Sequence, residues 1–78
     1  MDTGYIFKVV NDVIAQAKLN NDQEIVELLD VVLSLGSSSM EILGAIRSIV
    51  MTNEKIDKYI DMNSRMEISL YIDGLYGR

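Results

Sequence analysis

Residues 19–46 read LNNDQEIVELLDVVLSLGSSSMEILGAI, a stretch of 28 residues that contains no Lys or Arg. The same stretch holds five acidic residues, and eight of the eleven residues at 25–35 are Ile, Val or Leu. Apolar residues at this density must be buried, whereas carboxylates must remain in contact with water. The stretch therefore predicts a largely buried helix, a turn and the beginning of another helix.

The polar residues of the first of these helices form one narrow line. Glu27, Asp30 and Ser34 are spaced by three and four residues, which places them on the same side of a helix. The remaining surface of the cylinder is apolar. We therefore expect this helix, the second in the chain, to be the central element and to be contacted from several sides.

Residues with helix-capping chemistry mark the ends of this helix and the start of the next. Asn21 or Asp22 can cap its beginning, and Gly36 can supply the positive φ that ends it after about residue 35. Ser38 and Glu41 have the spacing of a capping box, in which each side chain accepts from the other residue's backbone N–H. The third helix is therefore expected from about residue 39 to residue 51.

Helical periodicity extends to both ends of the chain. A first helix is expected at about residues 3–19, and a fourth is expected to begin with Thr52 or Asn53 as its N-cap. The fourth helix would be supported by two oppositely charged pairs spaced four residues apart. These pairs are Glu54–Lys58 and Asp61–Arg65.

Residues 66–72 fit two kinds of secondary structure. Apolar residues alternate with polar ones at Met66, Ile68, Leu70 and Ile72, which is typical of a strand. The same segment can also continue the fourth helix through Met66, Leu70 and Tyr71, and Met66 would then lie on the same apolar, buried side as Ile56, Tyr59 and Ile60. We expect the helix, because a single strand in a helical chain has no partner; a strand here would have to pair between molecules.

These patterns predict an all-α protein, a small compact bundle of four helices that forms one domain over residues 1–78. The chain has no Pro and no low-complexity linker, and its 49% hydrophobic content is mostly aliphatic. A chain of 78 residues buries a smaller share of its surface than a larger domain does. Some apolar surface is therefore expected to be covered by another molecule.

The charge distribution excludes several classes of partner. The net charge is −5, and residues 1–40 contribute −4 of it, with six acids and two bases. Nucleic-acid binding requires clustered Lys and Arg, whereas the third helix offers only Arg47. The longest uncharged run, residues 31–40, is too short to span a bilayer. We expect a cytoplasmic protein that binds neither nucleic acid nor a membrane.

The composition also argues against catalysis. The chain contains no His and no Cys, which removes the usual zinc ligands and the common nucleophilic triads. Residues 61–67 begin like a calcium loop, but Arg65 stands at a ligand position and the segment has no Gly. We expect no enzyme activity, no metal site and no cofactor.

The acids of the second helix suggest a function. Asp22, Glu24 and Glu41 lie at helix starts, where a negative charge is favourable, but Glu27 and Asp30 have no such explanation. They predict a contact surface for a basic protein partner, as in an immunity protein, an antitoxin or a regulatory inhibitor. The alternative is an ordinary solvated face that Lys or Arg from the fourth helix neutralises.

The last twenty residues hold a second candidate contact surface. Tyr59, Met62 and Tyr71 belong to residue types that are enriched in protein interfaces, although they are also common in cores. The alternative function is a structural homodimer, in which excess apolar surface is closed by a second copy without any separate ligand.

Overall fold

The computed structural model describes residues 3–34 and 38–76, and within these ranges the chain is helical and contains no strand. These two ranges contain four α-helices and one short 3₁₀ helix. Their bounds are α1 Thr3–Leu19, α2 Gln23–Leu33, α3 Ser39–Thr52, the 3₁₀ helix Glu54–Lys58 and α4 Met62–Tyr76. The prediction of an all-α bundle is confirmed, and so is the choice of helix over strand at residues 66–72.

The start of α2 follows the predicted capping chemistry. Asn21 adopts a left-handed conformation with φ 56°, which Asn tolerates better than most residues. Asp22 is the N-cap, and its Oδ1 accepts from the backbone N–H of Ile25 at 3.5 Å. At the other end α2 stops at Leu33, and the predicted capping residue Gly36 lies outside the described residues.

The start of α3 also agrees with the sequence. Ser38 is the N-cap and its Oγ accepts from the backbone N–H of Glu41 at 3.2 Å, which confirms the Ser38 half of the capping box. The helix ends at Thr52, because Asn53 turns to an extended conformation while its N–H still donates to the carbonyl of Ile49.

The predicted start of the fourth helix is wrong. Asn53 caps the 3₁₀ helix, where its Oδ1 accepts from the N–H of Lys55 at 3.0 Å. The α-helix begins only at Met62, and Asp61 Oδ1 accepts from the N–H of Ser64 at 2.7 Å. This bond lowers the pKa of the Asp61 carboxyl. The carboxylate of Asp61 thus satisfies a free donor of a new helix, which competes with continuing the previous one.

The predicted Asp61–Arg65 ion pair is wrong for the same reason. Because Asp61 caps α4, Arg65 instead pairs with Asp57 of the 3₁₀ helix, and its Nε donates to the carbonyl of Val50 at 2.9 Å. Val50 is in the last turn of α3, where carbonyls lack partners within the helix. Arg65 therefore connects α4 to the end of α3 and to the 3₁₀ helix that lies between the two helices in the chain.

The helices pack in chain order, with α1 on α2, α2 on α3, and α3 on both α4 and the 3₁₀ helix. Helix α2 also contacts the 3₁₀ helix, through the ion pair of Glu24 with Lys55, so it is contacted from several sides as expected. Helix α3 is contacted from as many sides, by α2, α4 and the 3₁₀ helix. None of the helices in the described ranges is long and apolar enough to cross a membrane. The buried core is aliphatic and draws on every element. Its members are Ile6, Val10, Val13, Ile14, Ala17, Ile25, Val26, Leu29, Val32, Leu43, Ile46, Val50, Ile56, Ile60, Ile68 and Ile72.

Helix α4 carries apolar side chains on two opposite sides. Ile68 and Ile72 are fully buried, whereas Met66 and Leu70 are 53% and 68% exposed. The prediction that Met66 lies on the buried side is wrong. Residues two apart lie about 200° apart around an α-helix. The alternation that resembles a strand is therefore produced by a helix with one apolar line facing the core and a second facing solvent.

Ser69 is the exception to the aliphatic core. It is 5% exposed, and its Oγ has no hydrogen-bond partner among the described residues. We expect Ser69→Ala to raise the free energy of unfolding by about 1–2 kcal/mol, because a buried hydroxyl without a partner is costly. Urea denaturation measures this. Ser48→Ala is the matched control, since Ser48 is an exposed helical serine and shares only the gain in helix propensity. An equal gain in both variants would show that the hydroxyl of Ser69 is satisfied.

Candidate protein-binding surface

The first acid of α2 is already neutralised within the fold. Lys55 of the 3₁₀ helix places its Nζ 2.5 Å from Oε2 of Glu24. This hydrogen bond raises the pKa of Lys55. A cation from later in the chain therefore neutralises one acid of α2, as the alternative in the sequence analysis expects. That cation belongs to the 3₁₀ helix, and the acid that it pairs with is Glu24.

The next two acids remain without a cation. Glu27 and Asp30 are both exposed, and across residues 3–34 and 38–76 no Lys or Arg lies within 4.0 Å of either carboxylate. Glu27 only accepts a 3.4 Å hydrogen bond from Nε2 of Gln23. Asp30 lies in the second half of α2, where the helix dipole disfavours an anion. Both predicted acids are thus exposed, and neither has an ion pair within the described ranges.

An open groove of about 370 Å³ is lined by Glu27 but not by Asp30. Leu28 and Val31 provide its apolar surface, Glu24 and Glu27 provide carboxylates, and Asn53 closes one side from beyond α3. Val31 is 60% exposed. The groove can hold an apolar side chain while its carboxylates meet neighbouring cations. We call it the α2 groove.

A second depression, of about 580 Å³, lies at the start of α2 and shares Glu24 with the α2 groove. Its walls carry both signs of charge, including Asp22 and the ammonium groups of Lys55 and Lys58. Tyr59 lines this depression, and its hydroxyl donates to Oδ2 of Asp22 at 2.7 Å. The bond raises the pKa of Tyr59. Asp22 therefore caps α2 with one oxygen and holds Tyr59 with the other.

The predicted contact residues do not form one surface. Glu27 and Asp30 lie together on α2, and Tyr59 lines the neighbouring depression. Met62 and Tyr71 belong to α4, which packs on α3. Met62 is exposed, whereas Tyr71 is half-buried with its hydroxyl 3.4 Å from Oγ1 of Thr3. Contact roles for all five residues stay predictions.

Sequence reasoning misses the residues that make the α2 groove. Val31 lies four residues after Glu27, so helical spacing is a signal that could place it beside the acids. The expectation that α2 is covered on several sides assigns it to the interior instead. Asn53 carries no such signal, because it is 22 residues from Val31 and reaches the groove only through the packing of the bundle.

The described residues offer no site for a metal ion. In the two described ranges no three acidic side chains come close enough to share a cation, and the chain has no His or Cys. The groove and the depression are both open to solvent.

The chain matches no protein family, no curated protein sequence and no solved structure at a significant level. Its class is therefore defined by the fold alone, a small acidic all-α bundle, and inferences about its function rest on its own surfaces.

Proposed function

We propose that this protein is a non-enzymatic binding module that acts by occupying a basic protein partner. The partner would insert an apolar side chain between Leu28 and Val31 and place Lys or Arg against Glu27 and Asp30. The observation that carries the proposal is the apolar α2 groove, which is lined by Glu27; neither Glu27 nor Asp30, three residues further along α2, has a cation among the described residues.

The energetics of α2 favour such a partner. Like charges three residues apart on a helix repel by a few tenths of a kcal/mol, and a cation between Glu27 and Asp30 would relieve this cost. Complete burial of an exposed aliphatic side chain contributes about 1.5–3 kcal/mol, so covering Val31 supplies affinity. The net charge of −5 would steer a basic protein toward this face and speed its association.

A binding module of this kind acts by blocking a surface of its target. That mode suits an immunity protein, an antitoxin or the inhibitor of a regulator, each of which needs affinity and no chemistry of its own. A cytoplasmic location is part of the same proposal. The second candidate function is a homodimer, which the exposed apolar side of α4 favours and the repulsion between two chains of charge −5 opposes.

Selection from a displayed peptide library tests the proposal without requiring that the partner be identified first. We expect the selected peptides to share an aliphatic or aromatic residue flanked by Lys or Arg. Glu27→Lys combined with Asp30→Lys should weaken their binding at least tenfold, because four units of charge change at the contact. Isothermal titration at two salt concentrations measures this, and wild-type affinity should fall as salt rises.

The matched control for the charge reversal is a comparison of two single variants. Asp12 is an exposed acid of α1, so Asp12→Lys changes the net charge as much as Glu27→Lys does. Only Glu27→Lys should weaken the binding of the peptides. Equal loss in both variants would show that total charge, and no particular surface, is responsible. Peptides without basic residues, or undiminished binding to the double variant, would refute the proposal.

A further inference from the structure

The outward side of α4 carries a line of apolar residues that nothing in the described fold covers. Met62, Met66 and Leu70 are 64%, 53% and 68% exposed, and they lie on successive turns at a spacing of four residues. We call these three residues the α4 stripe. At a rise of 1.5 Å per residue the stripe is about 12 Å long, which matches two turns of another helix.

This arrangement differs from scattered exposed residues. Single apolar side chains on a surface are common, but a contiguous line of them marks an interaction site. Two of the three are methionines, whose flexible thioether side chains adapt to a partner surface. Gly74 lies one turn beyond Leu70, and a Cβ placed on it would meet nothing within 4 Å. The backbone of a partner can therefore approach closely at that end.

The charges around the stripe indicate what the partner carries. Glu67 and Asp73 are exposed residues of the same helix, and α4 has no basic residue except Arg65. Arg65 is turned inward, with its side chain 15% exposed and bound to Asp57 and to the carbonyl of Val50. The stripe is thus accompanied by two carboxylates, and the only cation of α4 is turned away from it. In the described residues Asp73 pairs with Arg47 of α3, and Glu67 has no ion pair.

The same charges disfavour the other occupants. A second copy of this chain would bring an identical set of carboxylates and a further charge of −5. A membrane surface rich in anionic lipids would repel this face, since interfacial helices normally carry Lys and Arg beside their apolar residues. A helix with apolar residues in one line and basic residues on its flanks complements the stripe in both shape and charge.

We propose that the α4 stripe is a docking surface for an amphipathic basic helix of a partner protein. Met62, Met66 and Leu70 would contact the apolar line of that helix, while Glu67 would meet a Lys or Arg on its flank. This surface is separate from the α2 groove, because α2 and α4 pack on α3 as different elements. The proposal for the α4 stripe does not depend on the function proposed above.

A designed helical peptide tests the proposal. The probe is a peptide of about five helical turns, roughly 18 residues, with Leu in one helical line and Lys on its flanks, and its control has Glu in place of every Lys. We expect the basic peptide to bind with a dissociation constant below about 1 mM and to shift the amide resonances of α4. Met66→Gln combined with Leu70→Gln should weaken it more than tenfold. Both positions are exposed, so the variant should keep the fold.

The matched control removes exposed apolar residues elsewhere. Leu19→Gln combined with Met51→Gln changes two exposed side chains on α1 and α3, and should leave the affinity unchanged. Equal affinity in the stripe variant overturns the proposal, and so does equal binding of the acidic peptide. Failure of the basic peptide to bind wild-type protein overturns it as well.

Three further outcomes identify a different occupant and also overturn the proposal. A wild-type dimer seen by light scattering and lost in the stripe variant would assign the stripe to a second copy. Sedimentation with phosphatidylcholine vesicles, lost in the same variant, would assign it to a lipid surface. Binding that persists in the stripe variant and disappears on reversing Glu27 and Asp30 would place the peptide in the α2 groove, and would support only the function proposed for that groove.

Discussion

Ile72→Ala is expected to lower the free energy of unfolding by about 2–5 kcal/mol, whereas Leu70→Ala, two residues away, should change it by less than about 0.5 kcal/mol. Ile72 is fully buried in the core and Leu70 is 68% exposed. Truncation of Ile72 removes buried methyl groups and leaves a cavity, while truncation of Leu70 removes atoms that already contact water. Urea denaturation followed by circular dichroism measures both.

A loss of this size is a large part of the stability of a small domain, which is typically about 5–15 kcal/mol. Ile72→Ala can therefore be partly unfolded without denaturant, and Ile72→Val provides a second variant with an expected loss of about 0.5–1.5 kcal/mol. Equal losses at positions 70 and 72 would contradict the assignment of the two faces of α4. A strand would instead place residues 70 and 72 on the same face.

Arg65→Ala is expected to cost about 1–3 kcal/mol, because it removes a hydrogen bond from a charged donor to a helix-terminal carbonyl. The Nε of Arg65 donates to the carbonyl of Val50, and the same guanidinium pairs with Asp57. The side chain is 15% exposed, so water replaces these bonds poorly. The loss should appear as a lower denaturation midpoint with an unchanged slope.

Arg47→Ala is the control for this prediction. Arg47 also joins α3 to α4, through Asp73 at 2.5 Å, but both side chains are substantially exposed. An exposed ion pair contributes about 0–1 kcal/mol. Arg65→Lys should recover only part of the loss, since an ammonium group cannot reproduce the fork of the guanidinium. If Arg47→Ala and Arg65→Ala cost the same, the link from Arg65 to Val50 is not a major contribution to stability.

Prediction from sequence works best where local chemistry decides the structure. Asp22 and Ser38 cap their helices as predicted, because an N-cap needs only a side-chain oxygen and the backbone N–H two or three residues on. It works worst after Asn53, where two capping residues, Asn53 and Asp61, divide one apparent helix into a 3₁₀ helix and an α-helix. The charge pairs by themselves favour one continuous helix, and they carry no information about the two caps that interrupt it.

The features of the candidate surfaces also differ in whether local sequence or tertiary packing decides them. The exposure of Glu27 and Asp30 follows from helical spacing, since carboxylates on an apolar helix must face water. The pairing of Glu24 with Lys55 does not follow, because 31 residues separate them and only the packing of the bundle brings them together. Sequence spacing also assigns Met66 to the core, because it cannot tell which of two apolar lines on a helix is buried.

Sequence alone determined that this protein is an acidic all-α bundle, where most of its helices lie, and that it lacks the residues for common metal sites. Periodicity and capping are local properties, and so they can be predicted from the sequence. The tertiary structure decided that Glu24 pairs with Lys55, that Val31 remains exposed on α2, and that α4 exposes one of its two apolar lines. A helix buries the side that its neighbours cover, and those neighbours are chosen by the packing of the whole chain.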